Sequence, residues 1–347
     1  MKALFFGTKA DWSETFFWKD RPNIVAGTEF RLFDILIHKS SVLEKIIKNG
    51  GIRQSYKIPK HIPVILSTIM PDPYLDRLFP GEDNNKYEIS VCGKPCYNYI
   101  ALAKIVNPDL ITSIEIPLYD GDNGQIVDFF NKFYRSQLLT LRNYFPVERI
   151  IVLVPGRTKE EVQRNVIIAY RLGYRRFGLA CADPMQRNAR HCRSQIRNDL
   201  NIIKKYAKET YLFGITSPRY IEEFSDADFI VTRGWYHTAM KFKQVLTYSG
   251  SEKAAVPPIL QSGQQSFSQS GILTNISTEK SMKIRSTMVK FNALKNIDVL
   301  LSKLQTIQRQ KTLEVYAPWP VKAEAVSEQV IAPQHTVVLE ASAEIRV

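Results

Sequence analysis

Apolar, β-branched runs of five to seven residues recur along the chain and alternate with stretches whose apolar residues fall every three to four positions. The runs ALFFG, PVILS, YEISV, LITSIEI, RIIVLV, RRFGLAC, TYLFGI and ADFIVT read as eight strands. Eight strands separated by helical segments predict an α/β fold of the (β/α)8 or TIM-barrel type. The second half is the clearest. TKEEVQRNVIIAYRLGY opens on Thr158, which can cap a helix, places acids in the first turn, and sets Val162, Val166 and Ala169 on one face. RNDLNIIKKYAKE repeats the device with Leu200, Ile203 and Ala207.

The character changes after the eighth run. SGSEKAAVPPILQSGQQSFSQSG is rich in Ser, Gly, Gln and Pro and reads as a loop, TEKSMKIRSTMVKFNALKNIDVLLSKLQTIQ returns to helical period, and the chain from APWPVKAEAV onward reads as an extended tail with one late strand, HTVVLEA. The expected organisation is a barrel over 1–250, a loop and helical extension over 251–310, and a tail over 311–347.

Composition narrows the class. Hydrophobic residues make up 44% and charged residues 23% of 347, the balance of a globular protein, and no apolar run of the ~18 residues needed to span a bilayer occurs. The start MKALFFGTKADW lacks the long apolar region of a secretion signal, so a cytoplasmic protein without membrane association is expected. Four cysteines, Cys92, Cys96, Cys181 and Cys192, form no zinc-like pattern with histidines, and reduced thiols with neither metal nor cofactor are expected. Net charge is +13; the last 37 residues contribute −2, leaving +15 in the first 310. Such an excess points to a polyanionic partner.

In a parallel barrel, chemistry collects at the C-terminal ends of the strands. Ser67 and Thr68, Asp72 and Asp76, Glu115, Asp120 and Asp122, Asp183, Thr216, Thr232 and Arg233 stand at or just beyond those ends. Glu115, within an apolar run, is either a ligand-recognising acid or the partner of an arginine. Asp72 and Asp76 flank Pro73 and suit a turn and a helix cap. Arg187, Arg190, Arg193 and Arg197 recur at spacings of three, three and four, which on a helix gives one basic face suited to phosphates, or else a solvated face balanced by acids. Trp235 and Tyr236 can stack on a base or pack beneath the rim.

NPDLITSIEIP resembles the segment of tRNA-guanine transglycosylases, the archaeal ones above all, in which a strand ends in a base-recognising aspartate before Ile-Pro; Glu115 stands in that place. VLVPGRTKEEVQRNVIIAYRLGYRRFGLACADP is similar to the family's Val-Gln-Gly strand, helix and glycine-containing strand, with Pro155 at the glutamine. YLFGITSP resembles its Leu-Phe-Gly-x-x-x-Pro turn, and ADFIVTRGWY falls at the nucleophile strand. The likeness runs over about residues 107 to 250. It implies exchange of guanine for a 7-deazaguanine in DNA or tRNA, an aspartate attacking C1′ and a second carboxylate moving protons. It further implies base contacts at Glu115, Gly156, Gly178 and Gly214; independently of it, nucleic-acid contacts are expected at the four arginines from their spacing and at Arg233 and Trp235 from their place at the rim. The chain departs from the family where that chemistry sits: Ile230, Val231 or Thr232 fills the nucleophile position, LST replaces the aspartate-serine-glycine near the second strand, and the zinc-binding cysteines are missing. Asp183 and Asp228 are the nearest carboxylates. Asp228 faces the lumen only if Ile230 does, because side chains alternate along a strand. Two expectations follow: a transglycosylase acting alone or as a homodimer, or a catalytically degenerate barrel that binds nucleic acid beside an active transglycosylase subunit.

Overall fold

The computed structural model describes residues 3–7, 27–32, 35, 40–69, 89–116, 118, 124–181, 189–215, 217–233, 235, 244–246, 251–253, 292–293 and 295–310, with the backbone alone at 40, 89–95, 189–192, 244–246 and 251–253. The elements in order are β1 (Ala3–Gly7), β2 (Thr28–Arg31), α1 (Ser40–Lys48), α2 (Ile52–Ser55), β3 (Val64–Ser67), α3 (Ile89–Val106), β4 (Leu110–Thr112) and α4 (Gly124–Tyr144). There follow β5 (Ile150–Leu153), α5 (Lys159–Arg171), β6 (Arg176–Ala180), α6 (Ala189–Lys204), β7 (Glu209–Phe213), α7 (Pro218–Glu223), β8 (Phe229–Thr232), β9 (Gln244–Leu246) and β10 (Ser251–Lys253). Residues 295–310 form a further helix, α8.

Strands β1 to β8 pair in chain order and all in parallel, and β8 returns to β1 with Ala3 opposite Phe229 and Phe6 opposite Thr232. The chain is a closed (β/α)8 barrel. Seven of the eight expected strands are present, and two differences offset one another. YEISV is not a strand, since the backbone is helical from Ile89 onward. The helix continues far enough to bury Tyr99, Ile100, Ala103 and Val106, a period of helix and not of sheet. The missing strand is β2, TEFR, whose side chains alternate between an outer face of Thr28 and Phe30 and a charged inner one. Outside the barrel, Ser251–Lys253 does not continue as loop but pairs antiparallel with β9.

Alternation along the strands divides the core in two. Leu4, Phe6, Phe30, Leu66, Ile111, Val152, Phe177, Leu212 and Ile230 pack outward among the helices. Phe5, Ile65, Ile151, Leu153, Tyr211, Phe213 and Val231 fill the lumen. At the N-terminal end of the strands the lumen closes on Arg176, whose Nε donates to Glu209 Oε2 at 2.5 Å, with the Tyr211 hydroxyl on the same carboxylate at 2.9 Å. The interior is therefore a packed core between two polar ends, of which the opposite one, at the C-terminal ends of the strands, is the mouth. Thr158 caps α5 as expected, accepting from the Glu161 amide at 3.3 Å, and Val162, Val166 and Ala169 are buried. No described helix is long and apolar enough to cross a membrane.

Candidate active site at the barrel mouth

Gly7, Glu29, Arg31, Ser67 and Arg233 stand on the lumen-facing side at the C-terminal ends of β1, β2, β3 and β8, each two residues beyond or beside a lumen-filling position. Glu29 is their centre and is 1% exposed. Its Oε1 accepts from the Ser67 hydroxyl at 2.5 Å and lies 3.5 Å from Arg31 Nε; its Oε2 accepts from Arg233 Nε at 3.3 Å. Burial by itself would push the Glu29 carboxyl up, but the two guanidiniums and the Ser67 hydroxyl outweigh it and hold the group below the usual carboxylate range. Glu29 is thus ionised at neutral pH, an acceptor and not a proton donor. Gly7 makes the pairing possible: a Cβ there would come within 2.3 Å of Arg233 Cγ and 2.6 Å of Glu29 Oε2.

Glu115 sits just past β4, half-buried, on a segment fixed by its neighbours. Its amide donates to Thr68 Oγ1 at 3.0 Å, and that hydroxyl donates to the Ser113 carbonyl at 2.8 Å. Gln137 of α4 completes the support, accepting from the Ile114 amide at 2.7 Å and donating to the Ile114 carbonyl at 3.1 Å. A buried glutamine side chain here replaces the backbone partner that the strand has run out of. Near Glu115 lies Cys181, whose thiol is pushed up by burial first and by the charges of Asp199 and Glu115 after it. Asp199 itself, on α6, is buried, and desolvation raises its carboxyl to about 7 against the attraction of Lys159.

The remaining sequence-derived candidates separate. Asp228 precedes β8 at the N-terminal end of the barrel, away from the mouth. Its Oδ2 accepts from both the amide and the hydroxyl of Thr210 at 3.0 Å, and its amide donates back to the same hydroxyl at 2.9 Å. Ile230 packs outward, so Asp228 does too. Asp183, Arg187, Asp72, Asp76, Asp120, Asp122, Thr216 and Tyr236 lie outside the described residues, as does the side chain of Arg190. Gly156 has a packing reason, since a Cβ would meet the Val162 amide nitrogen at 2.8 Å; at Gly178 it would press on the Phe213 ring at 2.9 Å. Gly214 turns the chain off β7 at φ 87°, a conformation that favours glycine.

Arg193 and Arg197 do share a face of α6, but an acid meets them: Glu223 of α7 receives Arg193 Nη1 and Arg197 Nη2, each at 3.3 Å. Of the two alternatives for this face, the one balanced by acids holds at these two residues, and the acid comes from the next helix, 26 residues beyond Arg197. With Ser194 and Asn198 these side chains line an open groove of about 500 Å3. Arg233 is buried in the Glu29 cluster. Trp235 is fully buried, its indole N–H donating to the Gly7 carbonyl at 3.1 Å, so the ring packs beneath the rim and has no face open for a base.

Two groups escape the sequence reading. Glu29 goes unnoticed because TEFR carries charge on the face where strands usually show apolar residues. Asp199 goes unnoticed too, although a signal for it exists: it falls on the apolar stripe of Ile196, Leu200 and Ile203, where an acid has no ordinary reason to be. Compared with models of known families and with curated proteins, the chain matches none.

Proposed function

We propose that this barrel binds nucleic acid in the manner of a guanine transglycosylase but without the covalent step. The observation that carries this reading is the Arg233–Glu29 pair: the last strand ends in Thr232 with no carboxylate, and just beyond it stands a buried arginine clamped to an acid from β2. A nucleophile must be reachable by a ribose C1′, and Glu29 is covered and neutralised by two guanidiniums. Glu115, on its fixed segment at the mouth, is the acid suited to the Watson–Crick edge of a purine or 7-deazaguanine, and Arg197, still exposed beside its shared carboxylate, is suited to a phosphate.

A second reading, guanine exchange, is favoured by Glu29 being held ionised and facing the lumen. The two are separated by incubating the chain with labelled guanine and either DNA or transfer RNA, then assaying base exchange and a denaturation-resistant adduct. We expect salt-sensitive binding with neither exchange nor adduct. An adduct lost in Glu29→Gln would establish exchange with Glu29 as nucleophile, and one lost in Asp183→Asn would place the nucleophile after β6.

A further inference from the structure

Most of α4 and α5, from residues 129 and 162 onward, and the end of α6 beyond Asp199, together with the turns into β6 and β7, contain a charge imbalance. Residues 129–145, 162–176 and 200–208 hold ten Lys or Arg and no Asp or Glu. Arg176 is committed to Glu209 inside the barrel. Among the described residues none of the other nine makes a contact ion pair, although Arg164 lies within reach of the Glu161 charge and Arg175 Nη1 donates to the Tyr170 and Tyr174 carbonyls: Lys132, Arg135 and Arg142 on α4; Arg164, Arg171 and Arg175 on and after α5; Lys204, Lys205 and Lys208 at the end of α6. Contrast Arg193 and Arg197, earlier on α6, which share an acid.

These segments form one continuous wall. Arg164 Nη2 donates to Asn131 Oδ1 of α4 at 3.2 Å, and the Tyr174 hydroxyl donates to the Leu138 carbonyl at 2.6 Å, which seat α5 and its following turn against α4. The Tyr170 and Tyr206 rings meet edge to face at 5.5 Å, and the Lys208 amide donates to the Arg175 carbonyl at 2.8 Å, which join α5 to α6. Lys132, Arg135 and Arg142 are spaced to lie on one stripe of α4, and Arg135 and Arg142 stand about 10 Å apart along its axis. Tyr170 is 39% exposed and carries the Arg175 guanidinium 3.8 Å from its ring centre.

We infer that this outer wall is a binding surface for the sugar–phosphate backbone of a nucleic acid, separate from the mouth and independent of whether base exchange occurs there. Unpaired like charges at this density repel one another in the free protein, and phosphates relieve that repulsion while releasing condensed counterions. Five of the nine are arginines, whose planar donors match phosphate oxygens in pairs, and four are lysines. An anionic bilayer is the poorer fit, because the apolar faces of α4, α5 and α6 are already buried against the barrel and leave Leu139, Tyr144 and Tyr170 as the exposed large apolar groups of the wall.

The test is fluorescence anisotropy with the full chain and a labelled DNA duplex of about 30 base pairs between roughly 50 and 200 mM salt. Arg142→Gln, Arg171→Gln and Lys205→Gln combined should weaken binding at least ten-fold and flatten the slope of log K against log salt by up to about three units. All three side chains are exposed, so the urea midpoint should hold. An unchanged slope overturns the inference. So does a slope carried wholly by Arg193→Gln with Arg197→Gln, which would leave the mouth reading standing and this one fallen. Binding of phosphatidylserine vesicles that the triple variant abolishes, with DNA binding intact, would assign the wall to membranes and overturn it equally.

Discussion

Asp199→Asn should stabilise the protein at neutral pH and do nothing of the kind in acid. The carboxyl is buried on the apolar stripe of α6, and its pKa rises from 3.8 to about 7 because desolvation outweighs the pull of Lys159. A group with a raised folded-state pKa binds more protons in the folded than in the unfolded chain between those two values. Stability from this group is therefore full below pH about 4, declines as pH rises, and levels off above about 7. Three units at 1.36 kcal/mol each set a ceiling of about 4 kcal/mol on the loss, and relaxation of the helix or entry of water lowers it. Asparagine keeps the shape and cannot ionise. Urea unfolding of both proteins from pH 4 to pH 8 should give curves that coincide in acid, part through the window from 4 to 7, and run parallel above it with the variant on the order of 2 to 4 kcal/mol ahead. Parallel curves throughout, or a variant weaker at pH 8, would refute the burial argument and show that the carboxylate is satisfied by a partner.

Three other outcomes can be checked. Glu29→Ala leaves Arg31 and Arg233 without their shared acid and should cost about 3–5 kcal/mol, a melting temperature lower by roughly 10 °C in a scanning calorimeter. Gly7→Ala drives a methyl into Arg233 and Glu29 and should cost about 1–3 kcal/mol, a loss that Arg233→Ala in the same chain would partly relieve. Glu115→Gln should abolish binding of a 7-deazaguanine, measured by calorimetric titration, with the melting temperature within about 2–4 °C of the parent; base binding that survives the substitution would remove Glu115 from the recognition site.

The second half of the barrel is readable from sequence because there periodicity, capping and burial agree: Thr158 caps where a cap is expected, and Val162, Val166 and Ala169 are buried as their spacing requires. The first half is harder for a physical reason. Gly93 and Pro95 are helix breakers, so the run before them resembles a strand ending in a turn, yet α3 passes through both. β2 carries Glu29 and Arg31 inward, and a rule that looks for apolar inner faces passes over it. The site suffers most, since its central acid is on that overlooked strand. Asp228 is legible as a residue that alternation turns away from the lumen, whereas the Glu223 that meets Arg193 and Arg197 is not, because its approach depends on how α7 packs on α6.

The seam between β1 and β8 has a consequence for synthesis. Ala3–Gly7 finds β2 early, but its other edge waits for Phe229–Thr232. At the usual 5–20 residues per second, the ribosome needs roughly 10–50 s to deliver that partner, and meanwhile the nascent sheet grows with the backbone amides and carbonyls of β1 unpaired along one edge. The late helix α8 then braces the seam, Asn296 donating to the Trp235 carbonyl at 2.8 Å and Lys303 to Glu222 at 2.7 Å. A chain released short of residue 229 is accordingly an open sheet with two adhesive edges, a natural client for chaperones, and the yield of folded protein should depend more on slowing aggregation during translation than on the stability of the finished barrel.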